Sequence, residues 1–310
     1  MLHHTKKDYA PPNMSEDKTA FKAGFVSILG KPNVGKSTLM NALVGERLSI
    51  MTSKAQTTRH RIFGILSTPD CQMIFSDTPG VIDPQYKLQE SMMRFVRASL
   101  EDADLILYMV ELGEKYDDNE NVNHIFENQA PKFLIINKMD QAKGSQVKDK
   151  VDYWQDIFPT AQVFPISALE KENIDELYEA IKSALPHHPP YFPQDQITDK
   201  SERFVTSEII REKIFLNYKK EVPYSCEVEI EEFKEAEDIL RIRAIIYVER
   251  DSQKGIIIGK SGASLKKVGI ESRMDLEKFF EKKVHLETYV KVEKDWRRKE
   301  KSLKKFGYQH

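Results

Sequence analysis

The segment GKPNVGKS, residues 30–37, constrains the fold more than any other part of the sequence. It fits the pattern G-x-x-x-x-G-K-[ST], follows the apolar run FVSIL and leads into the helical stretch STLMNALVG. Gly30 and Gly35 allow backbone N–H groups to turn inward around phosphate oxygens. Lys36 adds a point charge, and Ser37 adds a hydroxyl that can bind Mg²⁺. The pattern therefore predicts a strand, a phosphate-binding loop and a helix in succession.

Short apolar runs recur through the first half of the chain, and they are FVSIL, MIF, LILYMV and FLII. Stretches with helical spacing separate them, among them VKDKVDYWQDIF and NIDELYEAIKSAL. Strands that are apolar throughout, rather than at every second position, are buried on both faces, as in a parallel sheet covered by helices. We therefore expect an α/β domain with a mostly parallel sheet over residues 22–185.

The hydrophobic period changes after LPHHPPYFPQDQ, whose prolines prevent a helix and predict a linker over residues 186–200. Beyond it, apolar residues such as Val228 and Ile230 alternate with glutamates, and two later runs alternate in the same way. Alternation predicts strands with one solvated face, and we expect residues 227–237 to supply such a face and its turn. With helical segments around these strands, residues 201–310 are predicted to form a small α+β module of order α-β-β-α-α-β.

Composition limits the location and the partners of the chain. The 310 residues carry a formal charge of −2, so a nucleic-acid or membrane partner must be inferred from local clusters. Residues 1–21 lack the apolar stretch of a signal peptide, and no run of 18 apolar residues occurs, which predicts a flexible tail on a cytoplasmic protein. Cys71 and Cys226 are expected to be reduced strand residues rather than a disulfide. The sequence indicates no stable protein partner.

Three further motifs follow apolar runs: DTPG after MIFS, NKMD after FLII, and Ser167-Ala168 after VFPI. Parallel strands bind ligands at their carboxyl ends, so these motifs and the phosphate loop are expected to form one site. Asp140 can accept both hydrogens of the Watson–Crick edge of guanine, whereas adenine would leave this carboxylate unpaired. The sequence therefore predicts GTP with Mg²⁺. The residues expected to bind the nucleotide are Gly30, Lys31, Pro32, Asn33, Val34, Gly35, Lys36, Ser37, Thr38, Asp77, Thr78, Pro79, Gly80, Val81, Asn137, Lys138, Met139, Asp140, Ser167 and Ala168.

The predicted metal ligands come from three segments. Ser37 and Asp77 are joined by Thr58, from SIMTSKAQTTRHRI, and we prefer Thr58 to Thr57 because it directly precedes Arg59 and the following strand. Val81 occupies the position at which Ras-like proteins carry a water-orienting glutamine, so unaided hydrolysis is expected at or below ~10⁻⁴ to 10⁻³ s⁻¹. Water positioning then depends on backbone amides, a bridging water or a monovalent cation near Asn33. The expected catalytic residues are Asn33, Lys36, Thr58 and Gly80.

A second glycine-lysine loop, Gly259-Lys260-Ser261-Gly262, lies within GIIIGKSGASL between two helical stretches. Such a turn between helices is often only structural, but inside an α-β-β-α-α-β module it predicts a clamp on the backbone of single-stranded RNA. The residues expected to contact RNA are Ile258, Gly259, Lys260, Ser261, Gly262 and Lys266. The lysine-rich end WRRKEKSLKKF is open to three interpretations: a solvated face, further RNA contacts or binding to an anionic membrane.

At this point the sequence resembles a known family. The segments GKPNVGKSTLMNALVG, AQTTRHRIFGI, SDTPGV, NKMD, SEIIREKI, VPYSCEVEIEEF and IIIGKSGASLKKVG resemble the Era family of bacterial ribosome-assembly GTPases, over residues 22–308. The resemblance implies a Ras-like G domain with a six-stranded, mostly parallel sheet, joined to a type II KH domain. It also implies binding to the 3′ end of 16S ribosomal RNA, assistance to 30S subunit maturation, and K⁺-assisted hydrolysis through Asn33.

Two other functions stay open on the sequence alone. The chain could be an RNA-binding protein that holds GTP as a structural ligand, without turning it over. It could also be a GTPase that associates peripherally with the inner membrane through its basic C-terminal segment.

Overall fold

The structure is a computed structural model that describes residues 21–52 and 54–309. The tail expected over residues 1–21 lies, apart from Phe21, outside the described residues. Within the described part of the chain, no helix is both long and apolar enough to cross a membrane. The chain divides into two compact units, whose segments interleave along the sequence. The first contains the described residues up to Ser49, Thr58–Asp83 and Met92–Asp199, and the second contains Ile50–Thr57, Pro84–Ser91 and the residues from Lys200 onward.

Six strands and five α-helices follow one another from residue 22 to residue 184 of the described chain, with the second and third strands joined directly. They are β1 (Lys22–Gly30), α1 (Lys36–Val44), β2 (Ile62–Ser67), β3 (Cys71–Asp77), α2 (Lys87–Glu101), β4 (Leu105–Glu111), α3 (Glu120–Glu127), β5 (Lys132–Asn137), α4 (Gln146–Ile157), β6 (Gln162–Pro165) and α5 (Ile174–Ala184).

The sheet of the first unit has six strands among the described residues, in the order β2-β3-β1-β4-β5-β6. Every neighbouring pair is parallel except β2 with β3. All seven residues of β3 are buried, as are six of the seven in β4, which is the burial expected of strands covered on both faces. The predicted six-stranded, mostly parallel sheet is confirmed, and its parallel strands place their carboxyl ends along one edge.

The proline-rich segment after α5 is extended and packs along the first unit. The side-chain oxygen of Gln72 accepts hydrogen bonds from the backbone N–H groups of Tyr191, at 2.7 Å, and Phe192, at 2.9 Å. Farther along, the N–H of Ile65 donates to the carbonyl of Ile197 at 2.9 Å. The prolines lack N–H donors and prevent this segment from forming a helix, so its backbone groups have no helical partners. Gln72 and Ile65 provide hydrogen-bond partners for some of these groups instead.

The elements of the second unit beyond residue 200 follow the predicted order. They are α6 (Glu202–Asn217), β7 (Glu227–Glu235), β8 (Ile239–Val248), α7 (Asp251–Ile258), α8 (Ala263–Phe280), β9 (Lys283–Val292) and a short α9 (Glu300–Lys305). The strands form a sheet of order β7-β8-β9, antiparallel between β7 and β8 and parallel between β8 and β9.

One face of this small sheet packs against helices. Ile210 of α6, Ile257 of α7 and Leu276 of α8 are fully buried in one core with alternate residues of β8, such as Ile242 and Ile246. At roughly 25 cal/mol per Å² of apolar surface, this burial is the main favourable contribution to the stability of the unit. The α-β-β-α-α-β arrangement expected of a type II KH domain is thereby confirmed.

The C-terminal segment covers part of the other face of the sheet, which corrects one expectation. Glu227, expected on a solvated face, is only 6% exposed because Tyr308 covers it and donates a hydrogen bond to its carboxylate at 2.6 Å. Trp296 is fully buried, and its indole N–H donates to the carbonyl of Ser225 at 2.8 Å. The ring of Phe306 packs on Tyr247 with their centroids 5.1 Å apart. The C-terminal segment is therefore a structural part of the unit.

Residues Ile50–Thr57 are attached to α6 within the second unit. The N–H of Met51 donates to Glu212 Oε1 at 3.1 Å, and the carbonyl of Thr57 accepts a hydrogen bond from the buried guanidinium of Arg211 at 2.6 Å. Arg211 also forms a two-pronged ion pair with Glu208, with the two N–O distances at 2.8 and 2.6 Å. Burial of such a pair is tolerated because the carbonyl of Thr57 satisfies a further donor.

We expect Trp296→Ala to destabilise the second unit by ~3 to 5 kcal/mol, because it removes a fully buried ring and leaves the carbonyl of Ser225 without its donor. Urea unfolding followed by far-UV circular dichroism measures the change. Lys301→Ala, on the exposed side of α9, is the matched control and should stay within about 0.5 kcal/mol of the wild type. An unfolding midpoint unchanged in Trp296→Ala would contradict a structural role for the C-terminal segment.

Candidate nucleotide and RNA sites

The phosphate-binding loop connects the end of β1 to the start of α1. Gly35 has φ 105°, in the left-handed region, and a Cβ atom there would lie 2.2 Å from Nδ2 of Asn137. That amide donates to the carbonyl of Val34 at 2.7 Å. Glycine is therefore required both for the turn and for the close approach of the NKMD segment. The phosphate loop and the predicted base-recognition loop are fixed to each other by this contact.

Lys36 is the first residue of α1, and its ammonium group points back into the loop. It donates to the carbonyls of Gly30, at 3.2 Å, and Lys31, at 2.8 Å, and the side chain is almost completely buried. Burial lowers the pKa of Lys36 to about 8, although Asp77 and Glu114 oppose this effect. The loop thus holds a positive charge at a considerable desolvation cost, and a bound polyanion would relieve that cost.

The three predicted metal ligands lie together. Ser37 Oγ donates to Asp77 Oδ2 at 2.7 Å and lies 2.9 Å from Thr58 Oγ1, which is 3.4 Å from the same carboxylate oxygen. Burial raises the pKa of Asp77, and the hydrogen bond from Ser37 works against that rise. The other oxygen, Oδ1, is buried with no hydrogen-bond partner, which a cation or its water would supply.

Mg²⁺ fits this donor set. The ion prefers hard oxygen ligands, keeps several waters, and is commonly bound by one or two protein groups together with substrate phosphates. Two hydroxyls and one carboxylate match that preference. Across the described ranges, no cluster of three or more His, Cys, Asp or Glu side chains could hold a metal without phosphate. A cation at Asp77 would therefore depend on a bound nucleotide for further ligands.

The DTPG segment is joined to the phosphate loop. The N–H of Val81 donates to the carbonyl of Gly30 at 3.0 Å, and Thr78 Oγ1 donates to the carbonyl of Ile28 at 3.1 Å. The side chain of Val81 is only 8% exposed, so the position of the Ras-like glutamine holds a buried apolar group. This side chain has no group that could orient an attacking water, as the sequence predicted.

The NKMD loop after β5 is paired with the segment after β6. Ser167 Oγ donates to Asp140 Oδ1 at 2.6 Å, and Asn137 Oδ1 accepts from the N–H of Ala168 at 2.9 Å. Asp140 itself is exposed. Its carboxylate is therefore oriented by a neighbouring hydroxyl while remaining accessible to the edge of a base, which is the geometry that guanine recognition requires.

The structure gathers the predicted nucleotide residues at the carboxyl ends of β1, β3, β5 and β6, and Thr58 joins them from the segment before β2. Asn33 lies in the loop with φ 72° and is exposed. Sequence reasoning missed the segment after β4, where Glu111 and Glu114 approach Lys138 and Lys31. The only signal for it was a pair of acids after LILYMV, a pattern that also suits a solvated turn.

The Gly259–Gly262 loop joins α7 to α8 in the second unit. Gly259 and Gly262 have φ values of 70° and 79°, and Ser261 between them has φ 50°, so the turn runs through the left-handed region. Lys260, Ser261 and Lys266 are exposed, whereas Ile258 is half-buried and packs against the core. Backbone N–H groups and exposed lysines on a tight turn can contact nucleic-acid phosphates.

Comparisons with known proteins agree with this geometry. The family described as 50S ribosome-binding GTPase matches residues 25–138, and the KH domain family matches residues 221–297. The GTPase Era of Geobacter metallireducens is 45% identical over 292 residues, which covers 93% of this chain and 98% of the relative. The chain belongs to the GTPase Era family. It is therefore a GTPase that binds guanine nucleotide, and the view of GTP as a purely structural ligand is set aside.

Two solved Era structures match this chain over its length. One is Era in complex with MgGDPNP and nucleotides 1506–1542 of 16S ribosomal RNA, with a TM-score of 0.90 and 40% identity, and the match covers 94% of this chain and all of that one. The other is Aquifex aeolicus Era bound to GDP·AlF₄⁻, with a TM-score of 0.89, 40% identity and the same coverage.

We expect the stability of this Era-family chain without nucleotide to depend on pH through Lys36. Since its folded pKa of about 8 lies below the ordinary 10.5, the cost of burying the charge is fully present below pH 8 and disappears as the pH rises toward 10.5. The difference between these pKa values corresponds to ~3 kcal/mol. Lys36→Met, which carries no charge, should exceed the wild type in unfolding free energy by about this amount at pH 7 and converge with it by pH 10.

Urea unfolding of both proteins at four pH values between 7 and 10 measures this difference. Lys278→Met, on the exposed surface of α8, controls for the loss of one positive charge. A difference between Lys36→Met and the wild type that stays constant across the range would contradict the assigned cause.

Proposed function

We propose that this Era-family GTPase binds the 3′ end of small-subunit ribosomal RNA and assists maturation of the 30S subunit. The observation that carries the proposal is the exposed Gly259–Gly262 turn inside a KH module, in a chain whose match to the RNA-bound Era complex has a TM-score of 0.90. Single strands are recognised by such modules because unstacked bases and backbone phosphates are both accessible. The partner in the cell is then a pre-30S particle that exposes this RNA end.

We propose a division of the chain that follows the two chemistries. Residues 22–185 form the GTP-binding domain, residues 186–200 form the linker, and residues 201–310 form the RNA-binding domain. The hydrogen bonds between the phosphate loop, DTPG and NKMD segments support the first assignment. The residues proposed for the nucleotide, the metal and the RNA are those predicted from the sequence, with Thr58 preferred to Thr57 because its hydroxyl lies beside Ser37.

We propose that Mg²⁺ accompanies the nucleotide at Ser37, Thr58 and Asp77, and that K⁺ assists hydrolysis near Asn33. With Val81 unable to orient water, a cation beside the phosphates is one way to stabilise the developing charge. Phosphate release should therefore be several-fold faster in KCl than in NaCl at equal ionic strength, and Asn33→Ala should lose that preference. Equal rates in the two salts would contradict the role of K⁺ and leave the role of Mg²⁺ in place.

The RNA site is tested by reversing its charge. The double variant Lys260→Asp and Ser261→Asp should weaken binding of a single-stranded RNA with the sequence of the 16S 3′ end by ~10-fold or more, because negative charge then faces the phosphates. GDP affinity, measured in parallel, should not change. Lys278→Asp, at the far end of α8, is the matched control and should bind RNA like the wild type. Loss of GDP and RNA affinity together would contradict separate sites.

We propose the cytoplasm as the location, which suits a chain whose two cysteines, Cys71 and Cys226, are buried thiols rather than a disulfide. Peripheral binding to the inner membrane has weaker support, because Arg297 is paired with Glu249 and Lys305 with Glu229. Apart from Lys305, the exposed basic residues of that segment are Arg298, Lys299, Lys301 and Lys304. Their replacement by glutamate would abolish pelleting with anionic vesicles if the membrane were a partner.

A further inference from the structure

The side chain of Lys31, in the phosphate loop, forms ion pairs with two acids that lie outside this loop. Its ammonium group lies 2.8 Å from Asp117 Oδ2 and 3.8 Å from Glu114 Oε1. The backbone carbonyl of the same residue accepts the hydrogen bond from Lys36 at 2.8 Å. Lys31 is therefore tied to the acids by its side chain and to the phosphate-binding lysine by its backbone. A restraint on Lys31 is thus a restraint on the loop that surrounds the phosphates.

Both acids belong to residues 111–117, which run from the last residue of β4 toward α3 and which we name the acidic loop. This loop is fixed to α4 rather than free in solvent. The ammonium group of Lys150 donates to the carbonyl of Glu114, and the N–H of Tyr116 donates to the hydroxyl of Tyr153 at 3.0 Å. The ring of Tyr116 also packs edge-on against Phe158, with their centroids 5.4 Å apart. Because its backbone is anchored, the acidic loop can act as a fixed support for Lys31.

The acidic loop also reaches the base-recognition loop. Glu111, the last residue of β4, pairs with Lys138 of NKMD at 2.5 Å. The N–H of Glu111 donates to Glu114 Oε2 at 3.4 Å, which joins the two acids. One segment thus contacts a lysine from the phosphate loop and a lysine from the guanine loop.

The charges of the two acids have different surroundings. The side chain of Glu114 is only 9% exposed, and burial raises its pKa while Lys31 and the backbone N–H of the turn oppose that rise. Asp117 is half-buried as a residue, with its side chain 44% exposed, and its hydrogen bond from Lys31 lowers its pKa. An exposed pair alone contributes little because water and salt screen it. Glu114 is screened less, so the pair of acids holds Lys31 more firmly than Asp117 could alone.

We propose that Glu114 and Asp117 are positioning residues that hold the phosphate loop around bound guanine nucleotide through Lys31, and so slow nucleotide release. Neither acid is among the residues predicted to bind the nucleotide, and their effect passes entirely through the lysine side chain. Release requires the loop to open, and the ion pairs must break or stretch as it does. The lifetime of the bound state is therefore set partly by residues that no nucleotide-binding motif contains.

The test is a double-mutant comparison of GDP release. Release is measured by stopped-flow fluorescence of N-methylanthraniloyl-GDP that is chased with excess unlabelled GDP. Lys31→Met and the pair Glu114→Gln with Asp117→Asn should each release nucleotide ~2- to 5-fold faster than the wild type. The triple variant should be no faster than either, because the acids act only through Lys31. Lys31→Arg should restore slow release, which a general loss of stability would not explain.

Asp118→Asn is the matched control, since this neighbouring acid bonds to Asn123 at 2.8 Å and not to the phosphate loop. It should release GDP at the wild-type rate. Acids that accelerate release equally in the Lys31→Met background, or no acceleration in any variant, would overturn the proposal. If Glu114→Gln fails to fold, Asp117→Asn with and without Lys31→Met provides the same comparison. A wild-type protein that fails to bind GDP would instead overturn the nucleotide site itself, and the proposal with it.

Discussion

The ammonium group of Lys36 lies buried among the backbone carbonyls of its own loop. The organisation of the first unit follows from the contacts that stabilise this buried charge. Burial opposes the charge, so the loop is stable only because Gly30 and Lys31 supply carbonyl acceptors. Those carbonyls converge because glycine at position 35 allows a left-handed turn against Asn137. The NKMD loop is thereby drawn beside the phosphate loop, and the guanine and phosphate sites become parts of one surface. A bound polyphosphate would satisfy the charge that the empty loop holds at a cost.

Incomplete hydrogen bonding also explains why the predicted metal ligands would need a nucleotide in order to bind Mg²⁺. Ser37, Thr58 and Asp77 satisfy one another partly by hydrogen bonds, but one oxygen of Asp77 has no partner. A site with a single carboxylate is too weak for Mg²⁺ without phosphate oxygens. Mg²⁺ at these predicted ligands would therefore bind together with a nucleotide, and this would couple the position of Thr58 to the phosphates.

The second unit contains a three-stranded sheet with two faces, and few other residues are available to cover them. Helices α6, α7 and α8 bury one face, and the C-terminal segment buries part of the other with Trp296, Phe306 and Tyr308. Because other residues make the hydrophobic contacts with both faces of the sheet, the turn between α7 and α8 is not needed to cover it. Lys260 and Ser261 of this turn are exposed.

The sequence by itself determined the strand–loop–helix elements, the change of hydrophobic period between the two halves and the residues of the nucleotide motifs. These features are local in the sequence. A strand that is buried on both faces needs a continuous apolar run, and a phosphate loop requires glycine at fixed spacing. Only the tertiary structure showed that Glu227 is buried under Tyr308, and that Glu114 and Asp117 reach Lys31. Those contacts join residues more than 80 positions apart, and a charged residue carries no local mark of the partner that folding brings to it.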